Sequence, residues 1–513
     1  MSVLCAHVKP KELTVKRGVI LILLALLLCT SLIIPQDVDA QIPDNAVAGL
    51  SGIDVSRLIF LGERESLRRL QAYSPVIEMY LQSLWPDTLD QIPIDDAYVL
   101  AKIDLSKFMA QEDDSLAMLF GTAKQWRVRT DNGGTLLLYR AGIPYFLFID
   151  VWDFDADTYR LAYIGPERLG AVECMKLTVT PLDPRTAGRF QGTIWVEKSK
   201  FKIVRAQGTF KATPVKLFKR LNPFGGNASL NFHFDCWREQ IAADLWAPAH
   251  VIVDDNIPWK AIGGDGATDL HIRARLSIWG YANVGSFEAR RRELSARNSD
   301  PVMTGLEADG LIAPPGDVDA ALKQVLHEAC QTAGLQNLVL EIRILLTTPI
   351  ELFHVGHIIV VSRGLLEMAP DRSTLEGLLA DELAHLVADA APRDAHDYSR
   401  SLFVPNRSAD FGGLEVKEMV DEAEAARVLS EMASSGYEAA FAKSSIFVTQ
   451  LRSMSPHIPN LTKACFGATL LQRVAEHDTK LTRSSAPPAD ASPLSLRSRY
   501  IVDVSTGALR LLP

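Results

Sequence analysis

Cysteine is scarce in this chain, and what there is stands apart. Six cysteines occur in 513 residues. None pairs as CxxC, which excludes a zinc ribbon and a thioredoxin-type redox motif. Four lie beyond the N-terminal leader: Cys174, Cys236, Cys330 and Cys465. Disulfides in an exported chain and separate buried thiols both fit them, and spacing does not choose between the two. Positive charge is also short, with 53 Lys and Arg against 62 Asp and Glu and a formal net charge of −9. That excludes the broad basic surface of a nucleic-acid binder, so no nucleic-acid partner is expected. Long apolar runs are missing after the first 40 residues, so no later segment is built to cross a bilayer. There is no GxSxG, and "FGGN" and "IGGDG" are turns, because neither matches GxGxxG or GxxxxGK[ST]. The Asp pairs at 95–96, 113–114 and 254–255 read as solvated turn residues. There is no internal repeat.

What is present begins with a leader. Lys9, Lys11, Lys16 and Arg17 precede "GVILILLALLLCTSLII", and "VDA" ends at Ala40 with small residues. This is the pattern of a signal peptide, or of an uncleaved N-terminal membrane anchor, over residues 1–40. A helical lead-in follows over 41–96, because "RLIFLGERESLRRLQAY" and "VIEMYLQSL" carry apolar residues at helical spacing. From 97 to 288 the pattern is strand-like, with β-branched and aromatic runs between Gly, Pro, Asp and Asn clusters. In "GRFQGTIWVEKSKFKIVRAQGTF" the alternation around Ile194 and Val196, the "EKSK" turn and the return through Ile203 and Arg205 predict an antiparallel hairpin. Residues 289–316 read as a charged, Pro/Gly-bearing linker. Helices dominate 317–475, interrupted by "VLEIRILLTT" and "HIIVVSRG". A Pro/Ser-rich tail closes the chain over 476–513.

The segment "LADELAHLVADA" carries the chemistry. With histidine in place of Asp381 it would read HELAH. In that pattern two histidines four apart on one helical face grip a zinc ion, and the glutamate between them activates a water. Zinc lowers the pKa of that water from about 15.7 to about 7, so the glutamate needs the metal. Asp381 and His385 share a face here and Glu382 lies beside them. Ser373 and Glu376 form a capping-box signature at the helix start.

The surroundings of this helix resemble the gluzincin zinc metallopeptidases of the CAAX prenyl endopeptidase and heat-shock membrane protease type. "SRGLL" at 362–366, "LEGLLADELAH" at 375–385 and "DEAEAARVLSEMASSGYEAA" from 421 follow in the family's order. The resemblance covers roughly Asp317 to Gln472 and implies an α+β metallopeptidase fold. It implies zinc held at Asp381, His385 and Glu422, with Glu382 as general base. Three departures weigh against activity: Asp381 stands for the first histidine ligand, Ala426 for an acid that would orient a ligand, and the strand entry reads "IELFHVGH" in place of the family's NAF and double-glycine stretch. Three states of the site follow: no zinc and a binding role, an Asp/His/Glu zinc site, or a rebuilt site using His354 and His357 of "HVGH".

The strand-rich part resembles the LolA-type periplasmic lipoprotein carriers, through "YIGPERLGAVECMKLTVTPLD" and the hairpin above. That resemblance implies an open antiparallel barrel with an apolar face for acyl chains. Phe146, Phe148, Trp152, Trp195 and Trp246 are the candidate lining. The expected fold class is therefore two-domain: a LolA-like antiparallel β domain, then an α+β gluzincin-like domain. The expected function is binding of a lipid, lipoprotein or unfolded envelope protein by a periplasmic or secreted chain. The membrane is a partner if the leader stays uncleaved. The alternative is an active zinc metalloendopeptidase.

Overall fold

A computed structural model describes residues 50–84, 93–106, 123–129, 143, 145–186, 188–212, 230–258, 269–283, 300–388, 422–467, 470–471, 500–504 and 507–511. The leader and most of the Pro/Ser-rich stretch lie outside these residues, as do Asp113 and Asp114. Among the described residues no helix is long and apolar enough to cross a membrane.

The first element is helix α1, Gly52–Leu70, capped by Ser51, whose hydroxyl accepts from the backbone N–H of Asp54. Its buried stripe is Val55, Ile59, Phe60, Leu67 and Leu70. The helical reading stops there. Tyr73–Leu84 is strand β1, and strand β2 spans Asp95–Ile103. Eleven of the twelve residues of β1 are buried, because it is covered on both faces. A doubly covered strand loses the apolar/polar alternation that marks a strand, and its continuous apolar run also satisfies helical spacing.

The remaining strands are β3 (Ala123–Arg129), β4 (Tyr159–Leu169), β5 (Val172–Pro181), β6 (Phe190–Glu197), β7 (Lys202–Ala212), β8 (Leu230–Ala242), β9 (Leu245–Pro258) and β10 (Asp269–Asn283). They form one ten-stranded sheet in the order β3-β2-β1-β10-β9-β8-β7-β6-β5-β4. Every pairing is antiparallel. The sheet therefore begins at β1, ahead of residue 97. The predicted hairpin is β6–β7. Glu197 closes its turn by accepting from the backbone N–H groups of Ser199 and Lys200.

One face of the sheet, the inner face, receives α1. Ile77, Met79, Leu81, Val99, Ala101, Ile194, Val251, Val253, Leu276 and Ile278 share one core with it. Phe146 packs there against Phe210, Phe232 and Phe234. A bidentate pair, Arg238 to Glu63 at 2.7 Å and 2.7 Å, ties α1 to β8. The tryptophans separate. Trp152 packs at the inner core, whereas Trp195 and Trp246 belong to a small cluster with Cys174 and Val204 on the opposite face. The five aromatic residues therefore do not line one cavity.

Beyond the sheet, the expected linker contains helix α2, Pro301–Ala308. Asp300 caps it, and Val302, Met303 and Leu306 are buried. Then come helix α3 (Asp317–Thr332), strands β11 (Glu341–Leu345), β12 (Leu352–Val355) and β13 (Ile358–Ser362), and helices α4 (Arg363–Met368) and α5 (Arg372–Ala388). Helix α6 (Glu422–Met432) ends at a kink through Ala433–Tyr437, where Gly436 has φ +109°, and α7 (Glu438–Met454) follows, then α8 (Pro459–Thr462). The three strands form a sheet in the order β11-β13-β12, with β11 parallel and β12 antiparallel to β13. In the expected tail, Tyr500–Val502 (β14) and Leu509–Leu511 (β15) make a hairpin that buries Val502, Val504 and Leu509. Cys174, Cys236, Cys330 and Cys465 are all buried, and among the described residues no disulfide joins them.

Candidate functional site

Helix α5 sits in the middle of the α+β unit and buries most of its circumference, including Leu378, Leu379, Leu383, Ala384 and Leu386. That is why its apolar residues run round the helix and do not form a stripe. Its N-terminus lies two residues earlier than the Ser373 capping box predicts. The cap is Asp371, whose carboxylate accepts from the Thr374 backbone N–H at 2.8 Å and from its hydroxyl at 2.9 Å. Lys443 of α7 and these bonds hold the Asp371 carboxyl down at about 2. Gly377 lets α7 approach closely, since a Cβ there would lie 2.3 Å from the carbonyl oxygen of Ala440.

Glu382 is fully buried, and its Oε1 lies 2.7 Å from Nδ1 of His354. His354 is in β12 and is itself buried. It is therefore a core residue in a strand. His357, three positions on, lies in the exposed two-residue turn between β12 and β13, next to Gly356 with φ +58°. The two histidines of "HVGH" thus part company, and only His354 reaches the helix. Gly356 at the first position of a two-residue turn between two apolar runs is a hairpin signal that could have placed them so.

Asp381 is half-buried and His385 is buried one turn further along α5. Glu422 is the first residue of α6, and its side chain lies outside the described ones. Ala426 is exposed on α6. Among the described residues no three His, Cys, Asp or Glu side chains converge as a metal site needs.

The polar residues that the sequence reading missed surround this unit. Ser362 caps α4 by accepting from Leu365 N–H at 3.1 Å, and it also accepts from Glu351 N–H at 2.9 Å. Glu351, three residues before His354, is fully buried and accepts from Phe466 N–H at 2.8 Å. Arg363, the arginine of "SRGLL", is buried and leaves the unit altogether: it reaches Glu78 of β1. Gly364 beside it allows the backbone to touch Thr348, where a Cβ would lie 1.7 Å from the carbonyl oxygen. Asp96 and Asp255, read as solvated turn residues, are buried within strands.

No protein-family model matches the chain, and no curated protein matches it. Solved structures with some likeness include a LolA superfamily protein from Nitrosomonas europaea, 11% identical, covering 44% of this chain and 91% of that one, with a TM-score of 0.20. A DUF1329 family protein from Desulfovibrio piger is 12% identical over 45% of this chain and 94% of that one, with a TM-score of 0.21. A putative outer membrane lipoprotein-sorting protein domain from Vibrio parahaemolyticus is 10% identical over 45% and 96%, with a TM-score of 0.19. Superpositions this loose do not establish a shared fold.

Proposed function

We propose that this chain is an exported binding protein of the cell envelope, in which a peptidase-like unit serves as structure and not as catalyst. The observation that carries the reading is the state of Glu382. Its carboxylate is closed inside the core and engaged by His354 at 2.7 Å. A general base must face the water it activates, within about 2.6–3.2 Å. Replacement of the first ligand position by Asp381 points the same way. A lipoprotein or an envelope protein is the favoured client. An acyl chain held on the inner face of the sheet would have to displace α1, and with it the buried Glu63–Arg238 pair.

The rival is a zinc metalloendopeptidase with Asp381, His385 and Glu422 as ligands and Glu382 as base. Metal analysis of the purified full chain separates the two. The binding reading expects no stoichiometric zinc and no casein cleavage. About one zinc per chain, lost on Glu422→Ala, together with cleavage abolished by Glu382→Gln, would sink it. Mass spectrometry of co-purified molecules tests the client: acyl chains at stoichiometry would favour lipid carriage over a protein client.

A further inference from the structure

The outer face of β1, β2 and β10 is not a surface. Val76, Tyr80, Tyr98, Leu100 and Trp279 project from it into the same continuous core as Ile344, Leu346, Val361 and Leu461 of the α+β unit. Two polar clasps run through that core. In the first, the Glu78 carboxylate accepts from the guanidinium of Arg363, from the hydroxyl of Thr348 at 2.8 Å and from the hydroxyl of Tyr98 at 2.9 Å. Beside it, Arg275 of β10 reaches Glu367 of α4 at 3.0 Å and Thr348 at 3.2 Å. Glu78, Arg275 and Arg363 are each no more than 4% exposed. In the second clasp, Asp96 of β2 accepts from the backbone N–H groups of Asn460 and Leu461 at 2.9 and 2.8 Å, and from the Asn460 side chain at 2.9 Å. Trp279 adds a bond from Nε1 to the carbonyl of Gly310 at 2.8 Å.

We infer that the outer face of β1, β2 and β10 is a dedicated interface whose partner is the α+β unit of the same chain, keyed by Glu78–Arg363 and Asp96–Asn460, so that sheet and unit form one body. The apolar core supplies the attraction, and the charges set the register. A slip of one residue along β1 would present Ile77 or Met79 to Arg363 in place of Glu78. Buried ion pairs serve this kind of specification better than they serve net stability. The arginine that the "SRGLL" likeness places in a peptidase turn is here the key in the lock. Neither a detachable protease nor a hinge between carrier and protease is consistent with it. Among the described residues the unit leaves the outer side of the strands beyond β10 uncovered, and a client would meet the sheet there.

The test is denaturant-dependent hydrogen exchange on the full chain, read by mass spectrometry. Peptides from Phe190–Ala212, far from the border, and from Arg372–Ala388 in the unit are followed together. In the unmutated chain both should lose protection at one shared midpoint. Arg363→Met should lower both midpoints together, and Arg363→Lys, which keeps the charge but loses the fork, should lower both by less. A midpoint for the sheet peptides that stays fixed while that of the unit falls would overturn the inference. So would two separate midpoints in the unmutated chain. If Arg363→Met does not accumulate folded, Arg363→Lys and the unmutated chain decide the matter on the same readout.

Discussion

The same three strands, β1, β2 and β10, are covered on both sides, and the two sides are built differently. On the inner side the cover is almost wholly apolar, with Ile77, Met79, Leu81, Val99 and Leu276 set against the core that holds α1, and the chief buried ion pair of that face, Glu63–Arg238, lies further along the sheet on β8. On the outer side aromatic and aliphatic groups alternate with Glu78, Gln82, Asp96, Arg275 and Ser277, all buried. Burial of apolar area stabilises at about 25 cal/mol per Å² whatever the register. A charge pair is favourable in one register only. The inner side is therefore specified by volume and the outer side by pairing.

The largest effect expected from breaking this contrast comes from the inner side's ion pair. Glu63→Ala leaves Arg238 buried with its carboxylate partner removed, which costs about 3–5 kcal/mol. Chemical denaturation of the variant should show a loss of that size. A loss below about 1 kcal/mol would mean that α1 is seated by packing alone. Next comes Gly377→Ala in the α+β unit. The new methyl would press on the carbonyl of Ala440, and backbone cannot swing aside as a side chain does. Overpacking of this kind costs about 1–3 kcal/mol. An unchanged midpoint would show that α5 and α7 stand further apart than described.

The outer side also has two titratable groups whose pH effects oppose each other. Burial raises the Asp96 carboxyl to about 6 against its four hydrogen bonds, from Asn460 (twice), Leu461 and Tyr80. His250, half-buried at the rim of this border, is pushed down to about 4 by desolvation and by Arg275 and Arg363. Between about 3.8 and 6 the folded chain keeps a proton on Asp96 that the unfolded chain releases, so this contribution to stability falls as pH rises through that window. Between about 6.5 and 4 the unfolded chain takes up a proton on His250 that the folded chain refuses, so this contribution falls as pH drops. The two slopes offset each other from pH 4 to 6. Relative to the unmutated chain, His250→Asn should make stability decline with rising pH in that window, and Asp96→Asn should make it climb. Urea midpoints measured at several pH values check both signs, and identical slopes in all three proteins would refute the pairing.

How much of this was legible follows from how many sides of an element are covered. The β6–β7 hairpin alternates plainly, because Ile194 and Val196 face the core while Glu197 faces the turn. Strand β1 hid behind its double burial, and the polar residues that would have broken its pattern, Glu78 and Gln82, carry no local mark of being interior. The helix bearing Asp381, Glu382 and His385 was legible as a helix, since Leu and Ala are strong helix formers. The partner of Glu382 was not, because His354 lies 28 positions away and reaches the glutamate only through the β12–β13 hairpin. Arg363 was visible as part of "SRGLL", but its partner is 285 positions earlier, and no local rule links the two. Contacts that define the site are long-range, and single-sequence periodicity reports neighbours only along the chain.

The smallest effect expected lies on the half of the outer face that the α+β unit leaves uncovered. There Arg205 of β7 is sandwiched between Trp195 and Trp237, 4.3 and 4.1 Å from the ring centroids, and is aimed by a bidentate pair with Asp235 at 2.8 Å. The composition resembles the covered half, an arginine among aromatic rings with a carboxylate, but water reaches this one. Trp237 is 37% exposed, whereas Trp279 at the border is fully buried. A solvent-facing cation–π contact contributes about 0.5–1 kcal/mol, and an ion pair of this exposure adds little more. Arg205→Ala should therefore cost about 1 kcal/mol in urea while shifting tryptophan emission, because two indole rings lose their cover. A cost comparable to that of Glu63→Ala would mean that the uncovered half of the face is as closed as the border, and the division of the outer face into a docked half and a free half would fail.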